Sequence, residues 1–123
     1  MTEAKRTSTM QRRRALFMDA ASIIHAEFAT KLALDDVARR VATSRRQLQR
    51  AFAEAGETSF RAYIQRVRME RAALLLRRTS APVNQVASAV GYRQPAQFAK
   101  AFRRHHGAPP SSFRGPSDAS MAA

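Results

Sequence analysis

The chain has 123 residues, enough for one compact unit or two very small ones. A hydrophobic content of 45% permits a core and excludes disorder by composition, while 22 Lys and Arg against 9 Asp and Glu leave a formal net charge of +13. An imbalance of that size points to a polyanionic partner, either a nucleic acid or an anionic membrane surface. Cysteine is absent, which excludes disulfides, thiol nucleophiles and Cys-rich zinc sites and fits a reducing cytosol. No apolar run reaches the roughly 20 residues of a membrane span, and no apolar segment of signal-peptide type follows the basic N-terminus.

Residues 1–10 are polar and basic and read as a flexible N-terminus. From Gln11 onward Leu16, Ala20, Ile23, Ile24 and Phe28 recur at spacings of three and four, which predicts a first helix with His25 partly buried on it. No stretch alternates apolar and polar residues long enough for a strand. The expected class is therefore all-α, with about seven helices.

The next segments contain an internal repeat. Leu34, Val37, Ala38 and Val41 recur as Val83, Val86, Ala87 and Val90, a step of 49 residues; Leu48, Ala51 and Phe52 recur as Phe98, Ala101 and Phe102, a step of 50. One residue has been added between the halves of the second copy, and turns accept such a change where helices do not. Each copy thus reads as short helix, turn, second helix, with turns at Ala42-Thr43-Ser44 and Gly91-Tyr92-Arg93-Gln94. Asp35 and Asp36 suit a first helical turn, and Pro82 suits another, with Ser80 as its cap. Gly91 is a helix-ending residue, Pro95 a helix start, and Pro109-Pro110 the expected stop.

Between the copies, Ser59 to Arg78 carries apolar residues at helical spacing without Gly or Pro, a rod of roughly 30 Å at 1.5 Å per residue. The expected organisation is residues 11–56 as a first helix-turn-helix subdomain, 57–80 as a linker helix and 81–114 as a second subdomain. Residues 115–123, rich in Gly, Pro, Ser and Ala, read as a flexible tail.

A helix-turn-helix with a basic second helix is built to enter the DNA major groove, and two such units about 34 Å apart match successive grooves on one face of B-DNA. From Arg71 to Ser117 there is no acidic residue, while eight Arg and Lys positions including Arg93, Lys100, Arg103 and Arg104 are basic. With Leu48 and Phe52 facing the core, the free side of the first recognition helix carries Arg45, Arg46, Gln49 and Arg50. Arginine pairs bidentately with guanine and glutamine with adenine, so these side chains suit base reading. With Phe98 and Phe102 inward, the second presents Ala96, Gln97, Lys100, Arg103 and Arg104. It carries fewer hydrogen-bonding groups, because Ala96 and Ala99 offer only methyl contacts. The first helix is therefore expected to read sequence more strongly.

The residues Leu34-x-x-Val37-Ala38, Ser44-x-x-x-Leu48-x-Arg50-x-Phe52 and Arg68-Met69-x-x-Ala72-x-x-Leu75-Leu76 follow one another in order. They are continued by Val86-Ala87-x-x-Val90-Gly91-Tyr92, Phe98-x-Lys100-x-Phe102 and Gly107-x-Pro109-x-x-x-Phe113-Arg114. This pattern, over about two thirds of the chain, resembles the DNA-binding domain of the AraC/XylS family of bacterial transcription regulators. The resemblance implies base contacts from Arg46, Gln49 and Arg50 and from Ala96, Gln97 and Lys100, with Ser44, Arg93 and Gln94 near phosphates. Two departures are notable: the turn glycine of the first unit is Ala42, and the glycine expected after Phe52 comes one residue early as Gly56, with Glu57 in its usual place.

Little chain precedes Leu34, so the sequence is similar to the small standalone activators of the family (the MarA and SoxS type), and the ordinary Met1 start agrees. That similarity implies a cytoplasmic protein at the bacterial nucleoid. It would bind double-stranded DNA as a monomer and act with RNA polymerase, with no cofactor and no membrane. The alternatives are the DNA-binding domain of a longer effector-responsive regulator, a sequence-independent basic nucleic-acid-binding protein, and a helix pair lying on an anionic membrane. His105-His106 lacks a third ligand for a metal and reads as a polar pair near phosphate. No grouping of nucleophile, base or paired carboxylates marks an enzyme.

Overall fold

The computed structural model describes residues 2–114. In chain order it contains α1 (Thr2–Glu27), α2 (Leu34–Arg40), α3 (Arg45–Ala55), α4 (Phe60–Arg78), α5 (Val83–Ala89), α6 (Pro95–His106) and a 3-10 turn, η1 (Pro110–Phe113). No strand occurs among the described residues, and the all-α class holds, with six α-helices and one 3-10 turn.

The helix ends follow local chemistry. Ser44 caps α3 by accepting the Gln47 N–H at 3.1 Å, and Ser59 caps α4 by accepting the Ala62 N–H at 3.1 Å. Pro82 occupies the N-cap of α5 and makes no side-chain cap bond, so Ser80 is not the cap that the sequence suggested. Gly107, with φ 80°, ends α6 and donates its N–H to the Arg103 carbonyl at 2.8 Å. The helix therefore stops before Pro109-Pro110, which begin η1 instead.

The N-terminus differs from expectation. The sequence predicts a flexible segment over residues 1–10, yet α1 runs back to Thr2. Glu3, Ala4, Arg6, Met10 and Gln11 are good helix formers uninterrupted by Gly or Pro. Arg6 to Met10 are all exposed, so this turn and a half is helical by propensity and not by packing. Met1 and the tail at 115–123 lie outside the described residues.

The structure divides into two compact units between Ile64 and Gln65, inside α4. The segment 57–80 falls in both units, residues 57–64 in the first and 65–80 in the second. In the first unit α1 packs on α3, and Ile24, Val37, Leu48 and Phe52 are fully buried. The Phe52 ring meets Phe17, Phe60 and Tyr63 edge-on at 5.1, 5.6 and 5.7 Å, a favourable arrangement of aromatic quadrupoles. His25 is exposed, yet its Nε2 lies 2.9 Å from Tyr63 Oη. Arg40 clamps Glu27 with two hydrogen bonds of 2.8 and 2.5 Å, joining α2 to the end of α1 and holding the Glu27 carboxyl below its ordinary pKa.

In the second unit Met69, Leu76, Val86, Val90, Phe98 and Phe102 are fully buried. Phe102 packs against His106 at 4.4 Å and Phe113 at 4.8 Å, while Arg77 lies over the outer Phe113 ring.

Candidate nucleic-acid interface

The two turns that aim α3 and α6 share one hydrogen-bond pattern. Thr43 N–H donates to the Ala38 carbonyl at 2.9 Å, and Tyr92 N–H donates to the Ala87 carbonyl at 2.9 Å. Ala42 bonds Arg39 as Gly91 bonds Ser88, both at 3.1 Å. Ala42 and Gly91 each take positive φ, 59° and 96°. The backbone match runs through Tyr92, and the next matched residues are the N-caps Ser44 and Gln94. The added residue of the second copy is therefore Arg93.

On α3, Leu48, Ala51 and Phe52 face the core, and Arg45, Arg46, Gln49 and Arg50 are all exposed. At about 100° per residue, Arg50 points away from the buried pair Leu48 and Phe52, with Arg46 one turn before it and Gln49 beside it. Arg46, Gln49 and Arg50 have no hydrogen-bond or ion-pair partner among the described residues. Arg45 stands on the flank, 3.8 Å from Asp35, so part of its charge is already answered. Ser44 is exposed, but its Oγ is engaged as the α3 cap.

On α6, Phe98 and Phe102 are buried, whereas Arg93, Gln94, Ala96, Gln97, Lys100, Arg103 and Arg104 are exposed without side-chain partners among the described residues. Lys100 occupies the outward centre that Arg50 holds on α3. Around it lies a depression of about 350 Å³ lined by Ala96, Gln97, Ala99, Lys100, Arg103 and Pro109. Pro109 was not legible as part of this face, because it follows the left-handed Gly107 and no helical spacing reaches it.

Electrostatics separate the two surfaces. Beyond Glu70 no described residue is acidic, so α6 presents cations and amides alone, whereas Asp35 and Asp36 sit in the first turn of α2 in the other unit. His106, read from sequence as a polar residue near phosphate, is part of the packing instead. It donates from Nε2 to the Met69 carbonyl at 3.0 Å and packs at a tilt against the rings of Phe102 and Phe113. His105 is exposed; burial of part of its ring and the adjacent His106 lower its pKa. No group of three or more His, Cys, Asp or Glu among the described residues is arranged to hold a metal, and no helix among them is long and apolar enough to cross a membrane.

Comparison with known proteins agrees with this geometry. The sequence profile described as "Helix-turn-helix domain" matches residues 37–115. The Msm operon regulatory protein of Streptococcus mutans is 33% identical over 92 residues, which are 75% of this chain and 33% of that protein. The chain therefore spans about a third of the length of this curated relative. A transcriptional regulator of the AraC-type DNA-binding-domain class from Chromobacterium violaceum is 31% identical, with a TM-score of 0.79 over 83% of this chain and 91% of that one. The DNA-binding domain of AdpA, solved with a target DNA, shares the fold at 23% identity, with a TM-score of 0.76 over 86% of this chain and 96% of that one. By profile, by identity and by the doubled helix-turn-helix, the chain belongs to the AraC-type helix-turn-helix family of DNA-binding regulatory domains.

Proposed function

We propose that the protein is a sequence-specific transcription regulator that binds double-stranded DNA as a single chain, with α3 and α6 entering successive major grooves of an asymmetric promoter site. The observation that carries this reading is one helix-turn-helix backbone built twice, each copy holding outward a row of unpaired basic and amide side chains. Arg46, Gln49 and Arg50 read base edges from α3, and Ala96, Gln97 and Lys100 face the bases from α6. Ser44, Arg45, Arg93, Gln94, Arg103 and Arg104 lie at the helix starts and flanks, where phosphates pass. The protein activates transcription through RNA polymerase and works in the cytoplasm, on the nucleoid.

Selection of bound duplexes from a random pool, followed by footprinting and stoichiometry on the best site, tests the reading. The expected result is an asymmetric site protected in two major-groove patches about one helical turn apart, with one chain bound. A strict inverted repeat holding two chains would overturn the monomer reading. Equal affinity for unrelated duplexes across a salt series would replace sequence reading by backbone attraction alone.

A further inference from the structure

The repeat allows the two recognition helices to be compared position by position. The step of 50 that relates Leu48 to Phe98 and Phe52 to Phe102 also relates Arg46 to Ala96, Gln49 to Ala99 and Arg50 to Lys100. Where α3 carries an arginine and a glutamine, α6 carries two methyl groups. Those methyls line, together with Gln97, Lys100, Arg103 and Pro109, the depression of about 350 Å³. Ala96 and Ala99 end in methyl groups, which make no hydrogen bond and so cannot distinguish bases by their donors and acceptors. The pyrimidine C5-methyl is the apolar group that the major groove displays. The cations that share this lining suit a phosphate-lined groove.

We propose that α6 recognises a C5-methylated pyrimidine, thymine or 5-methylcytosine, by seating its methyl group against Ala96, Ala99 and Pro109. Arg103, on the phosphate side of the helix, holds the flanking backbone. This inference rests on the reading of α6 as a major-groove helix. Under it, the two halves of the site are read by different chemistry: hydrogen bonds at α3, methyl contacts at α6. A thymine in the α6 half loses its determinant when the methyl is removed, although base pairing is unchanged.

The experiment uses the selected duplex with each thymine in turn replaced by deoxyuridine, and with each cytosine in turn replaced by 5-methylcytosine. Loss of about threefold to fivefold at one or two thymines in the α6 half, with no loss in the α3 half, is the expected result if thymine is the ligand. A comparable gain at a 5-methylated cytosine in that half, with deoxyuridine neutral, assigns the subsite to methylated cytosine. The variants Ala96→Gly and Ala99→Gly should shrink the methyl effect, whereas Arg46→Ala should leave it intact. Unchanged affinity on every substituted duplex, with full preference for the selected site over a scrambled one, overturns this inference alone. Loss of that preference in the unmodified protein overturns the groove reading as well.

Discussion

Ala42 and Gly91 occupy the same left-handed backbone position, one repeat apart. Glu57, with φ 53°, and Gly107, with φ 80°, form a second such pair, at the ends of α3 and α6. Every positive φ among the described residues falls in one of these two pairs. The fold demands an unusual backbone twice in each unit; the second unit meets it with glycine, and the first with residues that carry a Cβ.

A left-handed L-residue costs roughly 1–2 kcal/mol, offset in part by the greater chain entropy that glycine loses on folding. Ala42→Gly should therefore stabilise the protein by about 0.5–1 kcal/mol. Gly91→Ala should destabilise it by a similar or larger amount. Urea unfolding of both variants checks the pair, and opposite signs are the required outcome.

Gly56 is held for space and not for φ, since its backbone is right-handed at −97°. A Cβ there would stand 2.5 Å from Phe17 Cε1 and 2.9 Å from the Phe52 carbonyl oxygen. Gly56→Ala should cost about 1–3 kcal/mol by overpacking. Its neighbour responds the other way: Glu57→Gly should gain stability by removing left-handed strain. Thermal denaturation of the two adjacent variants separates crowding from backbone strain.

Arg50 and Arg104 should differ in kind. Truncating Arg50, unpaired at the outward centre of α3, should cost about 1–3 kcal/mol on the selected site and relax preference at one or two base pairs. Arg104, on the flank of α6, should weaken all duplexes about equally and lower the salt slope by about one unit or less. Binding isotherms for Arg50→Ala and Arg104→Ala on selected and scrambled duplexes across a salt series test this. An equal loss on both duplexes for Arg50→Ala would mean that it supplies charge and no readout.

His105 supplies a pH dependence of known sign. Burial of its ring and the neighbouring His106 hold its pKa below the ordinary imidazole value, with Arg66 adding to the effect and Glu70 opposing it. The unfolded chain therefore takes up the proton first as pH falls. The neutral ring's contribution is complete above the unfolded pKa of about 6.5 and is lost as the pH drops from there through the folded value. The free protein should melt slightly lower at pH 5.5 than at pH 7.5, and His105→Gln should reduce that difference. An unchanged difference in the variant would remove His105 from the account.

The parts legible in the sequence were those written in local periodicity. Val37, Leu48, Phe52, Val86, Phe98 and Phe102 announced both cores by spacing, and all six are buried to 0 or 1% exposure. Exposure of the recognition-face residues followed from the same spacing. Features that depend on distant partners were not legible. His106 reads as a polar helix end until Met69 supplies a carbonyl and Phe113 a ring from outside α6. Phe17 gives no sign in sequence that it closes the first core onto Phe52, as Phe113 closes the second onto Phe102. The helical start at Thr2 is not legible in the sequence because propensity unsupported by an apolar face looks the same as a tail.

The division of the chain within α4 has a consequence for how the protein comes apart. Tyr63 and Ile64 are core residues of one unit, and Val67, Met69 and Leu76 are core residues of the other, on one unbroken helix. A unit that melts must either fray α4 from its own end or break it near Ile64 and Gln65, and a break forfeits hydrogen bonds on which the neighbour's part of the helix also depends. Among the described residues, no loop lies at the division between the two units. Damage to either core should thus be felt by both as a single cooperative loss, in which α3 and α6 disappear together and neither outlasts the other.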